Sequence, residues 1–158
     1  EAGKPVVVAV NKWDLVAPED EKLVLHDMDQ ALSHIDFAPR VFTSAVEAEG
    51  LQELLATAVR VFDTAHRRIS TGQLNGWLNI WTQRVQPPNS KGRPLRLLYV
   101  TQPDIAPPVF IFHVNNEEYV TRPYEQYLRN RIREDLGLSE VPFRMIFKAR
   151  GGSKRVRL

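Results

Sequence analysis

The sequence predicts two joined units. The first is a partial α/β sheet over residues 1–69. The second is a small α+β layer over residues 70–150 with element order α-β-β-α-β, followed by a basic tail at 151–158. Three observations predict this. The apolar, β-branched run Val6–Val10 suits a strand buried on both faces of a parallel sheet. Helical and extended patterns then alternate as β-α-β-α before a second helix-led series begins. Finally, the charge changes sign: residues 1–70 carry 7 Lys/Arg against 12 Asp/Glu, net −5, and residues 71–158 carry 14 against 7, net +7. Opposite charge in two halves points to two units with different partners.

Each element has its own signal. After Val6–Val10, residues 19–35 place Leu23, Leu25, Met28, Leu32 and Ile35 roughly on one helical face, and Glu19, Asp20 and Glu21 crowd the first turn, where the helix dipole favours acids. Pro39 breaks the chain before RVFTSA, a short strand running into a loop that Gly50 closes. Leu51, Leu54, Leu55, Ala58, Val59, Phe62 and Ala65 then recur at helical spacing and are the expected buried face of a second helix. His66, Arg67 and Arg68 suit its C-terminal end. Residues Ile69–Thr71 form a joint, and Ser70 with Gln73 forms a capping box that starts a third helix bearing Leu74, Trp77, Leu78, Trp81 and Val85. QPPNSKGRP at 86–94 reads as a loop. LRLLYVTQ and VFIFHVN read as strands joined by PDIAPP. Thr121 can cap a fourth helix, with Pro123 tolerated in its first turn, a face of Tyr124, Tyr127, Leu128, Ile132 and Leu136, and Gly137 at its end. PFRMIFKAR is the last strand.

Composition narrows the function. A hydrophobic share of 43% and a charged share of 25% are those of a globular protein. No apolar run approaches the ~20 residues of a membrane helix, and no signal peptide is visible, so a cytoplasmic protein without membrane partners is expected. The chain has no cysteine, which excludes disulfides, thiolate metal sites and a cysteine nucleophile. The four histidines lack ligand spacing, so no metal site is expected among them.

The chemistry-bearing pattern is Asn11-Lys12-Trp13-Asp14 at the end of the first strand. Guanine presents a ring N–H and an exocyclic amine side by side. One carboxylate accepts both, so Asp14 can make a bidentate, charge-assisted pair that adenine cannot complete. Asn11 can donate to the ring N7 and tie neighbouring loops together, and the Lys12 stem can lie over the base. Thr43-Ser44-Ala45 ends the next strand. There the Ala45 N–H can donate to the guanine carbonyl and Ser44 can orient Asp14. Strand carboxyl ends are where open α/β sheets bind ligands. The plain alternative is a polar turn capping a strand.

KPVVVAVNKWDLV, TSAVEAEGLQEL, LNGWLNIWTQRVQPP, PPVFIFHVN and YLRNRIREDLGLSEVPFRMIFKAR together resemble the C-terminal part of the Der/EngA double-GTPase family. The resemblance covers essentially the whole chain. It implies the end of a second, P-loop NTPase-like GTPase domain followed by a KH-like domain, in a bacterial factor for large-subunit ribosome assembly. It also implies Asn11, Lys12, Asp14, Ser44 and Ala45 as guanine contacts, GTP or GDP as ligand, and ribosomal RNA as partner. Phosphate-contact candidates in the basic half are Arg129, Arg133, Lys148, Arg150, Lys154, Arg155 and Arg157.

Two departures qualify that resemblance. No G-x-x-x-x-G-K-[ST] occurs, so the chain lacks a phosphate cradle and a hydroxyl for Mg²⁺ and is not expected to hydrolyse GTP alone. The G-x-x-G clamp of RNA-binding KH domains is also missing: Gly72 and Gly76 are too far apart and Gly151 and Gly152 are adjacent. RNA would therefore meet a basic surface. The chain is expected to begin inside a GTPase domain and to need the missing GTPase domains of the same protein, because an open edge beside Val6–Val10 invites pairing with other chains. The contrasting reading is a stand-alone RNA- or protein-binding module with a vestigial GTPase-like segment.

Overall fold

A computed structural model describes residues 3–90 and 92–149, with the backbone alone at Ser90. Strand β1 (Val8–Val10) pairs in parallel with β2 (Arg40–Phe42), in the register Val8↔Arg40, Ala9↔Val41, Val10↔Phe42. Helix α1 (Glu21–Ala31) and a 3-10 turn at Ser33–Ile35 make the crossover, and α2 (Leu51–His66) follows β2. The parallel pairing is as expected, but burial on both faces is not. Ala9 is exposed and Leu23 on α1 faces solvent, because among the described residues this sheet has two strands and little to cover them.

Helix α2 departs most from its sequence pattern. Its buried residues are Thr57, Val61 and Ala65, whereas Leu55 is 69% and Phe62 56% exposed, with Leu51 and Val59 also exposed. The apolar stripe expected to be core is therefore mostly solvent-facing. The physical reason is where α2 docks. Val61, Ala65 and Ile69 join the hydrophobic core of the second half, Arg60 pairs with Glu140, and Arg67 donates to the Leu136 carbonyl.

The second half has the predicted order: α3 (Thr71–Arg84), β5 (Leu97–Thr101), β6 (Val109–Val114), α4 (Arg122–Asp135) and β7 (Arg144–Ala149). The 86–94 loop holds a small hairpin, β3 (Asn89–Ser90) and β4 (Arg93–Pro94), too short for periodicity to reveal. The sheet order is β5-β6-β7, with β5–β6 antiparallel and β6–β7 parallel. Val100, Phe112 and Phe147 form one cross-strand row, buried with Leu74, Leu78 and Trp81 of α3 and Tyr124, Leu128 and Ile132 of α4. The alternate row, Tyr99, His113 and Lys148, lies on the other face.

Local chemistry fixes the helices. The Ser70–Gln73 capping box is formed on both sides. Thr121 occupies the N-cap of α4 but its side chain makes no capping bond; Pro123 in the first turn instead suits the helix start. Gly137, at φ +66°, ends α4 as expected. Trp81 is fully buried, and its indole donates to Asp135 Oδ2 at 2.7 Å. Tyr124 donates to the Val85 carbonyl at 3.2 Å; burial, and secondarily Tyr127, raises its pKa above the ordinary tyrosine value.

Two amides, neither marked by any sequence pattern, hold the junctions. Gln102, 6% exposed, accepts from Ile69 N at 2.8 Å and donates to the Arg67 carbonyl at 3.1 Å, so the end of β5 clasps the α2–α3 joint. Arg68 returns the contact by donating to the Gln102 and Pro103 carbonyls. Asn75 on α3 accepts from Val100 N at 3.0 Å and donates to the Val100 carbonyl at 3.1 Å, blocking the outer edge of β5 as a neighbouring strand would. Gln102→Ala should destabilise the chain by about 1–3 kcal/mol, since buried backbone groups at the joint lose their partners. A urea unfolding midpoint equal to wild type would contradict that role.

Candidate functional site

The predicted base-reading residues come together at the carboxyl ends of β1 and β2. Lys12 turns the chain out of β1 in the left-handed region, at φ +64° and ψ +32°, which non-glycine residues seldom occupy. This turn aims Trp13 N at the Thr43 carbonyl, 3.0 Å away, while Thr43 N donates to the Val10 carbonyl at 2.9 Å. The Trp13 ring lies 4.3 Å from that of Phe42 and anchors the turn on β2. Asn11 Oδ1 accepts from Ala45 N at 3.2 Å and from Thr43 Oγ1 at 3.5 Å. One amide thus ties the Asn-Lys-Trp-Asp turn to the Thr-Ser-Ala loop. Asp14 and Lys12 are exposed and make no side-chain bond or ion pair with the described residues.

Two details differ from the sequence expectation. Ser44 does not orient Asp14: it is buried, and its Oγ accepts from Glu47 N at 3.2 Å, shaping its own loop. The Ala45 N–H, expected to point at a guanine carbonyl, is given to Asn11. In each case the loop satisfies a local polar group with the nearest partner. Gly50 closes the loop at φ +71°. A Cβ there would lie 2.2 Å from the Phe42 carbonyl, so no other residue fits without displacing β2.

The basic candidates are dispersed. Arg129 and Arg133 lie on α4 and are partly buried. Arg129 pairs with Glu125 at 3.6 Å and lies 5.7 Å from the Phe143 ring centroid. Arg133 has its Nε buried without a hydrogen bond. Lys148 stands on β7 opposite His113, whose pKa is lowered by burial and then by the Lys148 charge. Arg150, Lys154, Arg155 and Arg157 lie outside the described residues, as does the basic tail. Sequence reasoning did not bring together Arg93, Arg96, Asn115, Asn116 and Tyr119. These line a cleft of about 380 Å³ beside the β3–β4 hairpin, and the hairpin itself carried no readable signal. Trp81 belongs to the core, as its helical spacing with Leu74 and Leu78 favoured. Among the described residues no group of His, Asp and Glu could hold a metal ion, and no helix is long and apolar enough to cross a membrane.

An α+β layer of two helices over a three-stranded sheet, entered through a helix docked from an α/β unit, is the class of protein this arrangement defines. Residues 68–148 match the KH-domain-like family of EngA bacterial GTPase enzymes, C-terminal. The chain belongs to that family. It is also similar to the GTPase Der of Deinococcus deserti, 48% identical over 155 residues, which is 98% of this chain and 35% of that protein. The GTPase Der of Moorella thermoacetica is 37% identical over 151 residues, 94% of this chain and 34% of that protein. That of Sulfurihydrogenibium sp. is 38% identical over 151 residues, 96% of this chain and 34% of that protein. The chain therefore spans about a third of the length of these curated relatives.

The Asn11 tie has a direct readout. In Asn11→Ala the Ala45 amide loses its acceptor and should exchange with solvent roughly five- to tenfold faster, the loss of about 1 kcal/mol of hydrogen bonding. The Thr43 amide, held by the Val10 carbonyl, should keep its protection. Equal exchange at Ala45 in both proteins would show that the amide does not hold the loops together.

Proposed function

We propose that residues 1–69 are the guanine-reading end of a P-loop NTPase-like GTPase domain and residues 70–150 a KH-like domain that meets ribosomal RNA. The parent protein is then a GTP-binding, GTP-hydrolysing factor for large-subunit ribosome assembly in the bacterial cytoplasm. The observation that carries this reading is the Asn11–Ala45 hydrogen bond, 3.2 Å long, which joins two loops at adjacent parallel strand ends beside an unpaired Asp14. A rigid frame with one free carboxylate is what recognition of paired N–H donors requires. The GTPase naming of relatives that match nearly the whole chain supports it.

The residues present fit the base but not the phosphates. The free Asp14 carboxylate can accept the two guanine donors, and the Lys12 stem is exposed where a purine ring can lie on it. The chain contains no G-x-x-x-x-G-K-[ST], so nothing in it cradles a triphosphate or its Mg²⁺, and hydrolysis falls to the rest of the protein. The exposed stripe Leu51, Leu55, Val59 and Phe62 on α2, with Val6 and Leu23, is the surface the rest of the GTPase domain covers. Lys148, Arg129, Arg133 and the basic tail supply positive charge for RNA phosphates.

In a chain extended upstream to include the phosphate loop, Asp14→Asn should lower the preference for GDP over ADP by 10-fold or more, because an amide cannot accept from both donors. Unchanged preference in titration calorimetry would refute the guanine assignment. The RNA reading has a separate measure: the logarithm of the binding constant should fall linearly with the logarithm of salt concentration, with a slope near −0.7 per single-strand phosphate contacted. A flat plot would refute it.

A further inference from the structure

The face of the β5-β6-β7 sheet turned away from α3 and α4 carries an arrangement that charge alone does not explain. Tyr99 on β5 is 43% exposed and stacks on His113 of β6, with ring centroids 4.0 Å apart and planes 17° from parallel. Lys148 of β7 follows His113 in the same cross-strand row. The next row is Thr101, Ile111 and Ile146, all partly exposed. Arg144 is exposed on β7 two residues from Ile146. Two residues beyond His113, Asn115 enters the cleft of about 380 Å³ that also holds Arg93, Arg96 and Tyr119. A cation, an aromatic pair and a cationic cleft therefore run across one partly open sheet face.

We propose that this face is a stacking platform for single-stranded RNA, with an unpaired base on Tyr99 and flanking phosphates on Lys148 and the Arg93–Arg96 cleft. The proposal rests on the RNA-contact reading above and names the surface that serves it. An aromatic ring with one face against a neighbouring ring still offers its other face, and bases stack on such rings with little regard to sequence. Lysine and arginine beside the ring suit phosphates spaced along a strand. His113 is pushed below its ordinary pKa by burial and by the Lys148 charge, which favours the neutral imidazole as the ring stacked on Tyr99. A duplex hides its base faces and cannot use the ring. A flat apolar protein surface would gain little from a lysine in the central row. The charge of the face is complementary to a nucleic acid strand.

The test is fluorescence anisotropy with the full 158-residue chain. The probe is a labelled single-stranded RNA of about 12 nucleotides, within the ~4–16 nucleotides that such surfaces cover. The single strand should bind more tightly than a duplex of equal length, and an oligonucleotide with a run of abasic positions should bind more weakly. Tyr99→Ala should weaken single-strand binding about 5- to 100-fold, the range found for base–aromatic stacking. Tyr99→Phe, which keeps the ring, should bind as wild type and shows that the site folds. Lys148→Gln should weaken binding and reduce the salt slope by about 0.7. If the chain binds single strands but Tyr99→Ala leaves their affinity unchanged, the platform is refuted while the RNA reading stands; a face that serves another protein would give that result. Equal affinity for duplex and single strand would also refute it. If no RNA binds even at low salt, the RNA reading itself fails, and this proposal with it.

Discussion

The whole chain hangs on the buried amide of Gln102. A polypeptide that passes from one structural unit to another must cross a segment whose backbone groups belong to neither ladder. At Arg67–Ile69 those groups are satisfied from the end of β5: Gln102 takes the Ile69 N–H and gives a proton to the Arg67 carbonyl. Because an unpartnered buried backbone group is costly, this fixes where α2 leaves and where α3 begins. Arg67 and Arg68 then bind carbonyls at the end of α4 and of β5, and Val61, Ala65 and Ile69 sink into one core with Leu74 and Trp81. The two units predicted from charge and periodicity thus share a hydrophobic core across their joint.

That docking decides which side of α2 is used. An amphipathic helix can bury only one arc, and the arc centred on Val61 and Ala65 is committed to the α+β layer. Leu51, Leu55 and Phe62 on the adjoining arc are left facing outward. The Asn-Lys-Trp-Asp turn and the Thr-Ser-Ala loop form the rim of the β1–β2 unit. Its order comes from β1–β2 pairing, the Trp13–Phe42 contact and the Asn11 tie, which all lie within that unit. Gly50 makes the tie possible, since only a residue without Cβ lets the loop return against the Phe42 carbonyl.

The three-stranded sheet divides its chemistry by face. Its helix-covered rows are aromatic and aliphatic, and they carry the stability of the second half. Its other rows mix Tyr99, His113, Lys148 and the isoleucines. Strand alternation produces this contrast, and Asn75 keeps the outer edge of β5 from pairing elsewhere. The same alternation that builds the core therefore presents a polar, aromatic surface on the reverse side.

Much of this was legible in the residues. Periodicity located α3, α4 and the strands of the β5-β6-β7 sheet, and Ser70 with Gln73 marked the start of α3, because those signals act over a few neighbouring positions. Asn11, Asp14 and the Thr-Ser-Ala loop could be placed at strand ends from spacing alone. The partner of Ala45, the burial of Val61 rather than Leu55, and the roles of Gln102 and Asn75 could not. They depend on contacts between residues far apart in the chain, and no local pattern distinguishes a glutamine that will clasp a joint from one that will meet water. Sequence by itself marked most of the segments that become helix or strand and the polar residues that end the first two strands. Tertiary packing alone chose which face each helix buries and which polar groups meet, because those choices depend on what lies opposite.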